Sequence, residues 1–224
     1  MIHLQNLCKT FTLNGRHKVV ADDITATFPS GVSVALLGRN GAGKSSLLRM
    51  ISGAMLPSSG KILSTGTISW PVGFAGSFNS ELTGEQNCRF VARVYGIDTD
   101  ELIYFVEDFA ELGDHFRLPV RTYSSGMRSR LAFGLSMAIP FDTYLVDEVS
   151  AVGDAAFKAK SNHVFNERLS KAGAIVVAHS MGMLRATCQS GAVLEEGKLT
   201  FYADIEDAIA AHIDNMKKVK NASR

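Results

Sequence analysis

The succession Val32-Ser33-Val34-Ala35-Leu36-Leu37, then Gly38-Arg39-Asn40-Gly41-Ala42-Gly43-Lys44-Ser45, then a helical pattern sets the narrowest limits on how this chain folds. A near-continuous apolar run of six residues reads as a strand covered on both faces, as in parallel sheets flanked by helices. Leu47, Leu48 and Ile51 follow at three- and four-residue spacings, so a helix is expected over 44–51, ended by Gly53 and the Pro57-Ser58-Ser59-Gly60 turn. Buried strand, glycine turn and helix make half of a βα unit, and the chain is therefore expected to be α/β with a parallel sheet.

The rest of the chain extends that plan. Over the first thirty residues Ile2, Leu4, Val19, Ile24, Ala26 and Phe28 alternate onto one face around a turn at Asn14-Gly15, which predicts a small antiparallel sheet. Short strands are expected near Ile62 and Ile68. From Thr83 the pattern turns helical: Thr83 with Gln86 and Asp98 with Glu101 resemble capping boxes, and Leu102, Phe105, Val106, Phe109 and Leu112 form an apolar stripe. After Pro140, an apolar strand over 143–146, a helix carrying Phe157, Val164, Phe165 and Leu169, and a strand over 174–178 repeat the βαβ order. A hairpin about Glu196-Gly197-Lys198 and a last amphipathic helix, capped by Asp204 and running to about 216, complete it. The expected organisation over 1–224 is one compound unit: 1–73 and 140–216 form the core with its N-terminal antiparallel β subdomain, about 74–139 form an inserted α-helical subdomain, and 217–224 form a basic, solvated tail.

Composition removes several classes of function. The 23 basic and 22 acidic residues leave a net charge of +1, without the positive field that a nucleic-acid binder uses. Cys8, Cys88 and Cys188 are odd in number and lack paired spacing, so neither a disulfide framework nor a zinc site is expected. The apolar stretches fall far short of the roughly 20 residues of a membrane-spanning helix, and Met1 to Asn6 does not read as a cleaved secretion signal. Any membrane contact is therefore expected through a partner.

Two segments are built to hold phosphate. From Gly38 to Ser45 the pattern and its strand–helix context agree: the glycines let backbone N–H groups of 38–43 turn inward, and the helix directs its positive end at the same point. Lys44 is expected to reach the β- and γ-phosphates, Ser45 to offer its hydroxyl to Mg²⁺, and Ser46 to donate near the α-phosphate. Far downstream, Ser124-Ser125-Gly126-Met127 opens a helix whose first turn has free N–H groups and hydroxyls, although alone it reads as a plain N-cap. One nucleotide does not need both elements from one copy, so their joint use points to ATP held between two subunits. Tyr144-Leu145-Val146-Asp147-Glu148 ends a buried strand with two carboxylates, a costly arrangement unless a metal or a moving proton uses them. Asp147 suits Mg²⁺ through water; Glu148 suits a general base that orients or deprotonates the attacking water. His179 follows the strand at 174–178, where it can contact a γ-phosphate, and Phe11 could stack on adenine or be an ordinary half-buried strand residue.

In this order the elements resemble the ATP-binding subunit of ABC transporters, over almost the whole chain. The resemblance makes Gly38–Ser45 the Walker A motif, 144–147 with Glu148 the Walker B motif, 123–127 the family signature, His179 the switch histidine, and 150–154 the D-loop, whose Asp154 touches the opposite subunit. It implies a P-loop NTPase core and a head-to-tail homodimer holding two ATP molecules, with Ser124, Ser125, Gly126 and Met127 acting in trans. The Tyr-Ser-Ser-Gly-Met signature, the Val149 to Asp154 stretch and Glu81 to Asn87 look like those of polysaccharide exporters, capsular ones above O-antigen or teichoic acid exporters. That implies an ATP hydrolase on the cytoplasmic side of the bacterial inner membrane, held there by a polytopic transmembrane subunit. The family's glutamine between core and helical lobe is missing near Phe74 to Asn79, leaving Ser77 or Asn79 as substitutes or the loop as a coupler only. Rival readings are a soluble ABC-type ATPase acting on DNA or ribosomes, which usually has a long coiled coil or two ATP domains, and a module that binds ATP without hydrolysing it.

Overall fold

The computed structural model describes residues 1–13, 15–73, 76, 78–147 and 154–222. In chain order the elements are β1 (Ile2–Leu13), β2 (Arg16–Phe28), β3 (Ser33–Leu37), α1 (Lys44–Ile51), β4 (Ser59–Ser64), β5 (Ile68–Pro71), α2 (Gly84–Tyr95), α3 (Thr99–Ala110), α4 (Ser125–Ala138), β6 (Thr143–Asp147), α5 (Ala155–Lys171), β7 (Gly173–Val177), α6 (Met181–Thr187), β8 (Ser190–Glu195), β9 (Lys198–Tyr202) and α7 (Ile205–Ala222). Contacts divide the chain into two compact units. The first comprises Met1–Pro71, Phe141–Glu148 and Lys171–Arg224; the second comprises Val72–Pro140 and Val149–Ser170.

The first unit holds both sheets. One has three antiparallel strands in the order β2-β1-β4; the other has six in the order β5-β6-β7-β3-β8-β9, parallel except for β8 against β9. Strands β3 and β7 are buried at every position, as their unbroken apolar runs require. At eight residues α1 is too short to persist alone. It is held because Leu47 and Leu48 are 1% and 0% exposed in a cluster with Leu4, Leu36, Leu145 and Ile175, each leucine contributing about 1.5–3 kcal/mol.

The expected alternation in β2 fails at one place. Val19 is half exposed and Val20 is buried, because the β1–β2 register shifts between Leu4 and Leu7, between Leu7 and Lys9, and between Lys9 and Thr10. Each bulge exchanges the two faces of the ribbon, and Asn6 and Asp23 take left-handed backbone angles beside them, with φ of 47° and 53°.

The second unit is helical. Thr83 caps α2 in the expected box with Gln86, and Asp98 caps α3 through the N–H groups of Asp100 and Glu101. Its centre is aromatic: Phe109 meets Phe105, Phe133 and Phe157 at centroid distances of 6.0, 5.7 and 5.3 Å. Because Phe157 and Phe165 of α5 join this cluster, α5 up to Ser170 groups with the helical unit and not with the core expected over 140–216. At the other end of the chain, α7 continues to Ala222, through most of the segment expected to be an irregular tail. Lys217 pairs with Asp214 one turn earlier, so part of the basic charge there is balanced within the helix.

Candidate functional site

Three neighbouring parallel strands deliver the candidate residues of the first unit. β6, β7 and β3 lie side by side and run the same way, so their C-terminal ends share one edge of the sheet. Asp147 ends β6 opposite Val177; Val176 lies opposite both Val146 and Ala35, so Gly38 and His179 each come two residues past the level of Asp147. Sequence order could not reveal this, because Gly38 and Asp147 are 109 positions apart.

The loop after β3 has the shape that its glycines permit. Gly43, with φ 108°, precedes α1 in a left-handed conformation, and a Cβ there would fall 2.8 Å from Val20 Cβ. A Cβ on Gly38 would fall 2.5 Å from the carbonyl oxygen of Leu194, so the start of the loop lies directly against β8. No side chain caps α1 and no acid lies in its first turn, which leaves the positive end of the helix open to an anion. Lys44 Nζ donates to the carbonyls of Gly38 (2.8 Å) and Arg39 (3.1 Å), so its ammonium is held over the loop by the loop's own backbone.

A cleft of about 400 Å³ opens beside this loop, lined by Phe11, Lys18, Val20, Asn40, Gly41, Gly43, Lys44, Ser45, Ser46 and His179. Phosphate loop, histidine and aromatic ring are thus brought to one cavity by β3, β7 and β1. Phe11 is 36% exposed, and the Lys9 ammonium sits 5.1 Å from its ring centroid. Lys18 and Val20 were not singled out in the sequence; their faces depend on the bulged register of β2, which no local pattern records.

Arg39 does not line this cleft. Its guanidinium turns to the β8–β9 hairpin and forms an ion pair with Glu195, with Glu196 at 3.9 Å. Both Glu195 carboxylate oxygens are buried, and this pairing supplies the charge that a buried carboxylate needs. Gly38 and Ala42 likewise lie outside the cleft lining: Gly38 borders a second cavity with Arg39, Lys44, His179 and His212, and Ala42 a third beside Glu195. His212 of α7 is only 9% exposed, and burial, then Lys44, holds its imidazole below the ordinary range, with Glu195 opposing.

For a divalent cation the candidate donors expected from the sequence in this unit are the Ser45 hydroxyl and the Asp147 carboxylate. No group of three or more His, Cys, Asp or Glu that could hold a metal occurs among the described residues. One hydroxyl and one carboxylate fit Mg²⁺, which keeps water and takes phosphate oxygens as its other ligands. Glu148 lies outside the described residues, as do Ser77 and residues 150–153 of the D-loop.

The signature residues belong to the helical unit. Ser124 is the N-cap of α4, its hydroxyl accepting from Met127 N–H at 3.2 Å, while Ser129 donates to the Ser125 carbonyl at 3.0 Å. A Cβ on Gly126 would meet nothing nearer than Ser124 Oγ at 3.9 Å, so the face above this turn is open. Asp154 caps α5 by accepting from Phe157 N–H at 2.9 Å and lies 3.4 Å from the Arg130 guanidinium of α4. The Phe157 N–H is the main cause of its lowered pKa. Arg130 also stacks on Phe157 at 4.2 Å, which ties the signature helix to α5. Asn79 is occupied locally: its side chain accepts from Glu81 N–H, and its backbone is bound on both sides by the buried amide of Asn87. Asn87 was missed because an amide in a helical pattern carries no sign of burial.

The ABC transporter family model matches residues 21–151. The polysialic acid transport ATP-binding protein KpsT of Escherichia coli is 51% identical over 213 residues, covering 93% of this chain and 95% of KpsT. The ATP-binding protein BexA of Haemophilus influenzae is 41% identical over 217 residues, covering 97% of this chain and all of BexA. Among solved structures, the dimeric post-hydrolysis state of the ATP-binding cassette MJ0796 bound to ADP and Pi superposes with a TM-score of 0.74 at 18% identity, over 92% of this chain and 99% of that one. Family match, identity over nearly full lengths and shared fold agree: this chain belongs to the ABC transporter family.

Proposed function

We propose that this chain is the ATP-hydrolysing subunit of a bacterial exporter of capsular polysaccharide. The observation that carries the reading is the shared sheet edge, where the phosphate loop, Asp147 and His179 arrive together on β3, β6 and β7. Relatives named for polysialic acid transport support the choice of cargo.

In this reading Phe11 stacks on adenine, and the amides of 38–46 and the Lys44 ammonium hold the phosphates; Ser45 and Asp147 would hold Mg²⁺, which would supply positive charge against the phosphate oxygens. To reach them, the Lys44 ammonium exchanges its two loop carbonyls for phosphate oxygens. Glu148 orients the attacking water and accepts its proton, and His179 contacts the γ-phosphate. A second copy, packed head to tail, completes each pocket with Ser124, Ser125, Gly126 and Met127, whose open face above Gly126 suits the approach of a phosphate; Asp154 stands at that contact. No helix among the described residues is long and apolar enough to cross a membrane, so the exporter's polytopic subunit anchors the pair on the cytoplasmic face of the inner membrane. Exposed Phe90 and Val94, one turn apart on α2, and Tyr104 on α3 offer that subunit an apolar surface.

Replacing Glu148 by Gln tests the chemistry and the dimer together. The variant is expected to bind MgATP, lose hydrolysis by a factor of at least about 10², and elute as a dimer only with MgATP in light-scattering chromatography. Normal turnover would remove Glu148 as the base. A strictly monomeric ATP-loaded variant would remove the shared pocket.

A further inference from the structure

In the β1–β2 ribbon Phe11 and Lys18 are direct cross-strand partners, so their side chains leave the same face of the sheet. Both line the 400 Å³ cleft. The Lys18 ammonium lies 3.5 Å from where a Cβ on Gly41 would stand, which puts a positive charge against the middle of the phosphate loop. Among the described residues the Lys18 side chain has no hydrogen bond or ion pair, although its neighbours do: Lys9 donates to the Leu56 carbonyl, and Lys198 pairs with Asp22. The cleft therefore holds a cation with no protein counter-charge, beside a loop whose amides already favour an anion.

We propose that Lys18 is a nucleotide-binding residue that contacts the polyphosphate chain. Phe11 and Lys18 then act as a two-point clamp from one rung of the antiparallel sheet, the ring taking the base and the ammonium taking phosphate oxygens across Gly41. This rests on the ATP reading above and adds a second cation, supplied by strand β2 of the antiparallel sheet, whereas Lys44 stands at the start of α1. Because the contact is to phosphate, its contribution grows with phosphate number, which separates it from a packing role in the ribbon.

The test is competition of ATP, ADP and adenosine against a fluorescent ATP analogue, with Mg²⁺, on wild type, Lys18→Ala, Lys18→Arg and Lys44→Ala. Lys18→Ala is expected to weaken ATP and ADP by between about fivefold and tenfold, to leave adenosine unchanged, and to be largely restored by Lys18→Arg. The wild-type to Lys18→Ala difference should shrink as salt rises. Losses under twofold for ATP, or equal losses for ATP and adenosine, overturn the proposal. Failure of the wild type to bind ATP, with no effect of Lys44→Ala, would instead overturn the ATP reading on which it rests.

Discussion

Replacing Gly43 by Ala should damage nucleotide binding more than it damages the fold. Gly43 holds φ 108° and ψ 9°, which an L-residue adopts at a cost of about 1–2 kcal/mol. The added methyl would stand 2.8 Å from Val20 Cβ and 3.2 Å from the Val20 carbonyl oxygen, and overpacking of this kind costs about 1–3 kcal/mol more. The sum, about 2–5 kcal/mol, is a ceiling for a rigid loop. The loop is not rigid against such a load: it can shift away from Val20, while α1 stays anchored by Leu47 and Leu48 in the core. Urea unfolding should therefore show less than the full ceiling, and isothermal titration should show ATP affinity reduced by at least tenfold, because the displaced amides no longer converge on phosphate. Gly126→Ala is the matching control, since its methyl meets no atom nearer than 3.9 Å and, within α4, should not lower the urea midpoint. An unaltered midpoint together with unaltered ATP affinity in Gly43→Ala would refute the reasoning.

Two further outcomes follow from the packing and the buried imidazole. Phe109→Ala removes the centre of the aromatic cluster in the helical unit, where the ring is 2% exposed and Lys160 sits 5.4 Å from its centroid; a loss of about 3–5 kcal/mol is expected by denaturant unfolding. His212 is held below the ordinary imidazole value of about 6.5, so the unfolded chain binds the proton more readily, and the stability it contributes to is intact above that value and falls as the pH drops through it. His212→Gln should flatten the stability decline between about pH 7 and pH 5, and an unchanged slope would show that other groups set it.

Much of the site was legible in the chain because its parts are local. The phosphate loop needs only a buried strand before it and a helix after it, and both were visible as apolar runs; the expected helix over 44–51 is α1 as found. The capping box at Thr83 and Gln86 was equally local. What was not legible depends on residues distant in sequence. Arg39 read as part of the phosphate loop, yet its partner Glu195 comes from a hairpin at the other end of the chain. Val19 and Val20 exchanged faces through bulges that no alternation pattern marks, and the same shift brought Lys18 into the cleft. The helix α5 joined the helical unit through Phe157 and Phe165, whose spacing predicts a buried face without saying what it is buried against.

Local pattern was enough to locate a glycine loop between a buried strand and a helix and to tell most strands from helices, because those follow from steric and apolar patterns over a few neighbours. Only the tertiary structure decided that β6, β7 and β3 lie adjacent and parallel, so that Asp147, His179 and the loop end at one edge. Strand order is chosen by burial of both faces of the whole sheet, a condition that no single segment encodes.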